Sequence, residues 1–116
     1  MKYIVKKDKY TKARGGTAKF NILSCAKCHH EIFIYQKDGP GRLLRLYLDK
    51  FVAPHSIVEE VKNITTKNEM YGLKCPSCGE LLGVPMVYEK ENRLAYRLLS
   101  NKVIRREEQS PLEYEL

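Results

Sequence analysis

The chain has 116 residues, 43% of them hydrophobic and 30% charged, which is the size and composition of one globular domain. This composition excludes an intrinsically disordered chain, which would be poorer in hydrophobic residues. No apolar run approaches the roughly 20 residues that cross a bilayer, and the N-terminus lacks a signal-peptide pattern. We therefore expect a cytoplasmic protein that does not contact membranes. The formal net charge of +7 suits an acidic partner such as nucleic acid.

The distribution of charge divides the sequence into three segments. Residues 1–17 are rich in Lys and Arg and include the flexible pair Gly15 and Gly16, which indicates a basic N-terminal arm. Residues 18–105 are predicted to form a single zinc-binding, β-rich domain. Residues 106–116 contain four glutamates and form a predicted acidic tail. This tail is either mobile or lies against the basic arm.

The segments around the first cysteine pair have the pattern of β-strands. Apolar and polar residues alternate from Ala18 to Leu23, and this predicted strand leads directly to Cys25. After Cys28, a β-rich run (IFIY) is followed by the turn residues 38–41 and by a second apolar run. The order strand, turn, strand predicts a β-hairpin between residues 32 and 51.

A short helix is predicted near residues 56–64. Ser56 and Glu59 form a candidate capping box. Apolar residues recur at helical spacing, namely Ile57, Val58, Val61 and Ile64. Beyond Cys78, the runs LLGVPMVY and LAYRLL flank a polar turn and predict a second hairpin, in which Pro85 favours an edge strand.

Four cysteines form two Cys-x-x-Cys pairs, Cys25 with Cys28 and Cys75 with Cys78. A Cys-x-x-Cys turn directs two thiolates at one metal ion, and two such turns complete the tetrahedral shell that zinc prefers. In a reducing compartment, metal binding explains such pairs better than a disulfide framework. The sequence therefore predicts one structural Zn²⁺ held by all four cysteines.

With 46 residues between the pairs, this pattern resembles zinc ribbons in the broad sense, and the Mss4-like proteins in particular. The resemblance implies a mainly β, small α+β fold in which each Cys-x-x-Cys knuckle is followed by a β-hairpin. The first cysteines of the two halves are 50 positions apart. A pseudo-twofold arrangement of two similar units is one interpretation, and two unrelated hairpins are the other.

Redox chemistry and haem attachment fit the cysteine pairs less well than a shared zinc ion. A redox pair would be expected at the start of a helix, whereas both pairs here precede β-rich sequence. The run Cys25-Ala-Lys-Cys28-His29 matches a c-type haem attachment pattern, but the second cysteine pair then has no partner. His29 and His30 are alternative ligands, although four cysteines leave them a solvated or supporting role.

The first functional hypothesis is a nucleic-acid-binding zinc module. Basic residues of the N-terminal arm would neutralise phosphates, namely Lys6, Lys7, Lys9, Lys12 and Arg14. Tyr10, Tyr3 or Phe20 would stack on unpaired bases. Arg105 and Arg106 would extend the patch. RNA or another single strand is the partner that this arrangement suits best.

The second hypothesis is a protein-interaction or chaperone-like zinc module. It would present a strand edge or the apolar run Leu43–Phe51 to another protein. The Mss4-like resemblance also suggests kinship with glutathione-dependent formaldehyde-activating enzymes, which are carbon-sulfur lyases. Those enzymes use further cysteines that this chain lacks. No other motif supports an enzyme.

Overall fold

A computed structural model describes residues 1–116 as a mainly β chain. The strands are β1 (Lys2–Tyr3), β2 (Ala18–Cys25), β3 (Glu31–Asp38), β4 (Arg45–Tyr47), β5 (Phe51–Ala53), β6 (Leu73–Lys74), β7 (Leu81–Tyr88), β8 (Arg93–Leu98), β9 (Val103–Glu108) and β10 (Leu112–Glu113). The helices are α1 (Lys9–Ala13), α2 (His55–Lys62) and two 3-10 turns, Leu48–Lys50 and Lys67–Glu69. None of them combines the length and apolarity needed to span a membrane.

Eight of the strands form two antiparallel four-stranded sheets. The first has the order β5-β3-β2-β9 and the second has the order β4-β8-β7-β6. Both sheets contribute to one core, in which Leu23 and Phe33 of the first sheet join Leu82 and Tyr96 of the second. Burial of each such side chain stabilises the fold by about 2 kcal/mol. The shared core holds the sheets at fixed positions.

The hairpin predicted after Cys78 is confirmed. Strands β7 and β8 pair from Gly83↔Leu98 to Tyr88↔Arg93. Strand β6 covers the other edge of β7 only as far as Gly83, so Pro85 lies where that edge is open. A proline, which has no N–H to donate, is tolerated there.

The hairpin predicted after Cys28 is wrong. Strand β3 pairs with β2, which precedes the knuckle, and with β5. Strand β4 pairs instead with β8 of the other sheet. The turn at Gly39–Gly41 therefore carries the chain from one sheet to the other. Strand β3 is buried at six consecutive positions, because both of its faces are covered. Its sequence therefore lacks the alternation of apolar and polar residues from which a partner strand could be predicted.

The predicted helix is confirmed as α2, which buries Ile57 and Val61. The predicted capping box is wrong, because α2 begins one residue before Ser56 and no side chain caps it. Glu59 instead accepts a hydrogen bond from Lys62 on the helix surface.

The two ends of the chain pair with each other through β1 and β10. Leu112 is buried in a second small core with Phe20. Of the two alternatives for the C-terminal residues, contact with the N-terminal segment is the one observed. Strand β9, which pairs with β2, runs through the boundary predicted at residue 105.

A polar network fixes α1 against the first sheet. Asp8 caps α1 by accepting from the backbone N–H groups of Tyr10 and Thr11. The buried Lys50 ammonium lies 2.8 Å from Asp8 and 2.9 Å from Asp38. Residues of the predicted arm are thereby held in place by long-range contacts.

Candidate metal centre

The first Cys-x-x-Cys pair lies at the tip of the β2–β3 hairpin. The backbone N–H of Cys25 donates to the carbonyl of His30 at 2.9 Å, and the N–H of His29 donates back to the carbonyl of Cys25 at 2.8 Å. His29 has a positive φ of 64°. This tight turn brings the two thiols of the pair to the same side of the hairpin.

The second pair repeats this geometry at the tip of the β6–β7 hairpin. The N–H of Cys75 donates to the carbonyl of Glu80 at 2.9 Å, and the N–H of Gly79 donates to the carbonyl of Cys75 at 2.8 Å. Gly79 has a φ of 80°, so it occupies the position that His29 has in the first knuckle. The two knuckles are therefore equivalent turns in different sheets.

The four Sγ atoms converge on one point. They all lie within 4.8 Å of one another. Two of the Sγ–Sγ distances between knuckles, Cys25 to Cys78 and Cys28 to Cys75, are 3.6 Å. A tetrahedral site with Zn–S bonds of about 2.3 Å would separate its sulfurs by about 3.8 Å. The donor set thus fits a single metal ion, and the distances are too long for a disulfide of about 2.05 Å.

Two of the closely spaced thiols, Cys25 and Cys78, have different pKa values. The backbone N–H of Cys28 lowers the pKa of Cys25 to about 7, against the opposing effect of burial. At Cys78 the N–H of Glu80 acts in the same direction, but burial and the three neighbouring thiols raise its pKa to about 11. One thiolate therefore forms at the expense of its neighbours. Four thiolates can coexist here only around a cation.

Lys102 connects the two knuckles and was not identified from the sequence. Its carbonyl accepts from the N–H of Ala26 in the first knuckle at 2.9 Å. Its ammonium lies 3.1 Å from the Glu80 carboxylate beside the second knuckle. No local pattern distinguishes this lysine, because both partners are remote in sequence.

The two histidines lie outside the donor set. His29 and His30 are exposed, and the group of converging ligand atoms consists of cysteines alone. The backbone of each histidine, not its ring, builds the first knuckle. Both knuckles connect β-strands, so neither pair lies at a helix N-terminus, where a redox-active thiolate would be stabilised.

The basic residues predicted to bind nucleic acid differ in whether a carboxylate neutralises them. Lys6, Lys7, Lys9 and Lys12 are exposed. The Arg14 guanidinium instead forms a bidentate pair with Glu91, with N–O distances of 2.8 and 2.9 Å.

The aromatic residues proposed to stack on bases make contacts within the fold. The Arg93 guanidinium lies 3.7 Å from the centroid of the Tyr10 ring. Phe20 is fully buried, and the Tyr3 ring packs against it in a T-shaped arrangement. Of the two arginines on β9, Arg106 is paired with acidic residues and Arg105 is exposed.

The run Leu43–Phe51, proposed as a docking surface for another protein, mostly faces the interior. Leu46, Leu48 and Phe51 belong to the main core. Leu44 is the exposed hydrophobic residue of this run, with half of its surface accessible. This run therefore stabilises the fold.

The chain matches no protein-family model, and comparisons with curated proteins and with solved structures find no significant match.

Proposed function

We propose that this chain is a zinc module in which one Zn²⁺, held by Cys25, Cys28, Cys75 and Cys78, has a structural role. The convergence of four Sγ atoms within 4.8 Å is the observation that carries this proposal. Each sheet supplies one pair, so the metal would cross-link the two sheets. Four thiolates fill the coordination shell of zinc and leave no position for a reacting water.

The position of the knuckles also supports the zinc-ribbon-like or Mss4-like assignment. In both halves a Cys-x-x-Cys turn connects two paired strands. The two turns share their hydrogen bonds and the positive φ that follows the second cysteine. The strands that flank the two hairpins differ, so the similarity of the halves is confined to the knuckle hairpins.

Elemental mass spectrometry on protein purified without chelator tests the metal proposal. We expect one zinc per chain and four thiols that resist alkylation until the protein is denatured. Cys75→Ser should lose the metal, whereas Ser77→Ala, in the same knuckle, should retain it. Metal-free protein with four reactive thiols would contradict the proposal. Half a zinc per chain would mean that two chains share the ligands.

RNA or another single-stranded nucleic acid is the partner that we propose for this module. The supporting observation is the excess of free positive charge. Only seven of the 21 Lys and Arg residues take part in ion pairs. Exposed lysines without such partners include Lys6, Lys7, Lys9 and Lys12. Cations of this kind can release counterions from a phosphate backbone.

Salt dependence tests this partner. The affinity for a single-stranded oligonucleotide should fall steeply with salt, with a slope of about 0.7 per neutralised phosphate on a double-logarithmic plot. A triple variant with Gln at Lys7, Lys9 and Lys12 should reduce the slope by about 2. The same change at Lys67, Lys74 and Lys90, three exposed lysines elsewhere, serves as the control. Absence of binding at low salt would contradict the proposal and favour a protein partner.

A further inference from the structure

Three cationic residues are at least nine-tenths buried, and one of them, Lys37, forms no ion pair. Lys50 and Arg93 each contact two carboxylates. Lys37, only 9% exposed, donates one hydrogen bond, to the carbonyl of Gly39 at 2.8 Å, and forms no ion pair. An ammonium has three N–H groups, and a buried charge without a partner is costly. Lys37 is therefore the exception that needs an explanation.

Lys37 lines a cavity of about 190 Å³ beside the loop that connects the two sheets, and it also borders a neighbouring cavity lined by Arg105 and Glu107. The first of these cavities is also lined by Arg42, Arg45 and Tyr47. Sites for drug-sized ligands usually occupy roughly 300 to 1,000 Å³. The first cavity has room for a small ion or for one end of a larger molecule.

The Tyr47 hydroxyl, in a residue that is 8% exposed, is arranged to donate a hydrogen bond. Its oxygen accepts from Nη2 of Arg14 at 3.1 Å and from Nε of Arg45 at 3.1 Å. A phenol accepts at most two hydrogen bonds and has one proton to donate. Both acceptor positions are filled, so the proton is available to a third group. That group must be an acceptor.

The charges around the cavity leave an excess of cations. Arg14 is neutralised by Glu91 at 2.8 Å, and Asp38, the acidic residue of the lining, is neutralised by Lys50 at 2.9 Å. The three remaining cations of the lining form no ion pair. A ligand with two negative charges would balance most of this excess.

We propose that this cavity binds a terminal phosphate group, either inorganic phosphate or the head of a small phosphate monoester. Such a group is largely dianionic at pH 7 because its second pKa is near 6, and its oxygens are strong acceptors. The Tyr47 hydroxyl, the free N–H groups of Lys37 and the Arg45 guanidinium supply donors of three types. Arg42, at the exposed rim, completes the charge balance.

Burial, followed by the nearby Arg105 guanidinium, lowers the pKa of Lys37, and the Glu107 and Asp38 carboxylates offset this effect only in part. A bound phosphate would place the counter-charge next to the ammonium. The ligand would thus remove the cost that the buried lysine imposes on the free protein.

An NMR titration of the zinc-loaded protein with sodium phosphate tests the proposal, with sodium chloride at equal ionic strength as the reference. We expect saturable shifts confined to residues 37–47 and to their contacts. Tyr47→Phe removes only the hydroxyl, and Arg42→Gln removes an exposed charge. Each should weaken phosphate binding about tenfold, the effect of losing a hydrogen bond to a charged group. Lys67→Gln, the same change of charge on a remote turn, should bind as the parent does.

Three results would overturn the proposal. The first is the absence of saturable shifts at residues 37–47, and the second is equal binding by the Arg42→Gln and Lys67→Gln variants. The third is displacement of the bound phosphate by an RNA oligomer without terminal phosphates, which would show that the cavity binds backbone phosphodiesters instead. A nucleoside monophosphate, by contrast, should compete with inorganic phosphate. Unchanged zinc content and thermal unfolding in each variant show that the fold is retained.

Discussion

His29 and Gly79 occupy the same position in the two cysteine knuckles, one residue after the second cysteine, and both have a positive φ. A side chain in this left-handed region costs about 1 to 2 kcal/mol, and glycine avoids that cost. The first knuckle therefore contains strain that the second lacks. The equivalence assigns residue 29 a role in the turn through its backbone, as Gly79 has in the second knuckle.

Substitutions at these two positions should change the stability of the protein without changing its zinc content. His29→Gly should leave the unfolding free energy of the zinc-loaded protein unchanged or raise it by up to about 1 kcal/mol. Gly79→Ala should lower it by about 1 to 2 kcal/mol through backbone strain alone, because nothing lies within 4 Å of the added methyl group. Chemical denaturation combined with zinc analysis measures both effects. Loss of zinc from the His29→Gly variant would mean that the ring is a ligand.

Removal of the metal should unfold the protein. Apparent binding free energies of structural zinc are about 10 to 16 kcal/mol, comparable to the whole stability of a domain of this size. We expect the cooperative thermal transition, followed by circular dichroism, to disappear with a strong chelator and to return when zinc is restored. A chelated protein that melts at the same temperature would show that the shared core suffices without the metal.

Replacement of the buried Lys50 by Met should destabilise the protein by about 3 to 5 kcal/mol, because the buried Asp38 carboxylate loses its cation. The additional change Asp38→Asn should recover part of this loss, since the uncompensated charge is then absent. A double-mutant cycle in urea measures the coupling. Lys74→Met, at an exposed lysine, is the control. Additive effects of the two changes would contradict a direct interaction.

Arg93 should not tolerate substitution by Lys. Its guanidinium lies between two tyrosine rings, 3.7 Å from the centroid of Tyr10 and 3.8 Å from that of Tyr47. It also contacts two carboxylates. A lysine keeps the charge but loses the planar stacking, so we expect a loss of about 2 kcal/mol in chemical denaturation. Arg97→Lys, at an exposed arginine of the same strand, should change stability by less than about 0.5 kcal/mol.

Local patterns in the sequence correctly indicated several parts of the molecule. Alternation from Ala18 to Leu23 marked β2, and helical spacing from Ile57 to Ile64 marked α2, because both signals depend only on which side of an element is buried. The two Cys-x-x-Cys turns were evident for a similar reason. A turn of four residues positions its two thiols regardless of the rest of the fold.

Contacts between distant segments were decided by the tertiary structure. The sequence placed β3 and β4 in one hairpin, but the Gly39–Gly41 turn directs them into different sheets. Arg14 was expected to contact phosphates, yet Glu91, 77 residues away, neutralises it. Phe20 was one of three candidates to stack on bases, yet Leu112 of β10 helps to bury it. The amino-acid sequence by itself indicated several strands, one helix and the two cysteine turns whose thiols converge. The pairing of the strands and the pairing of the charges depended on contacts between segments that are distant in sequence. No local periodicity encodes such contacts.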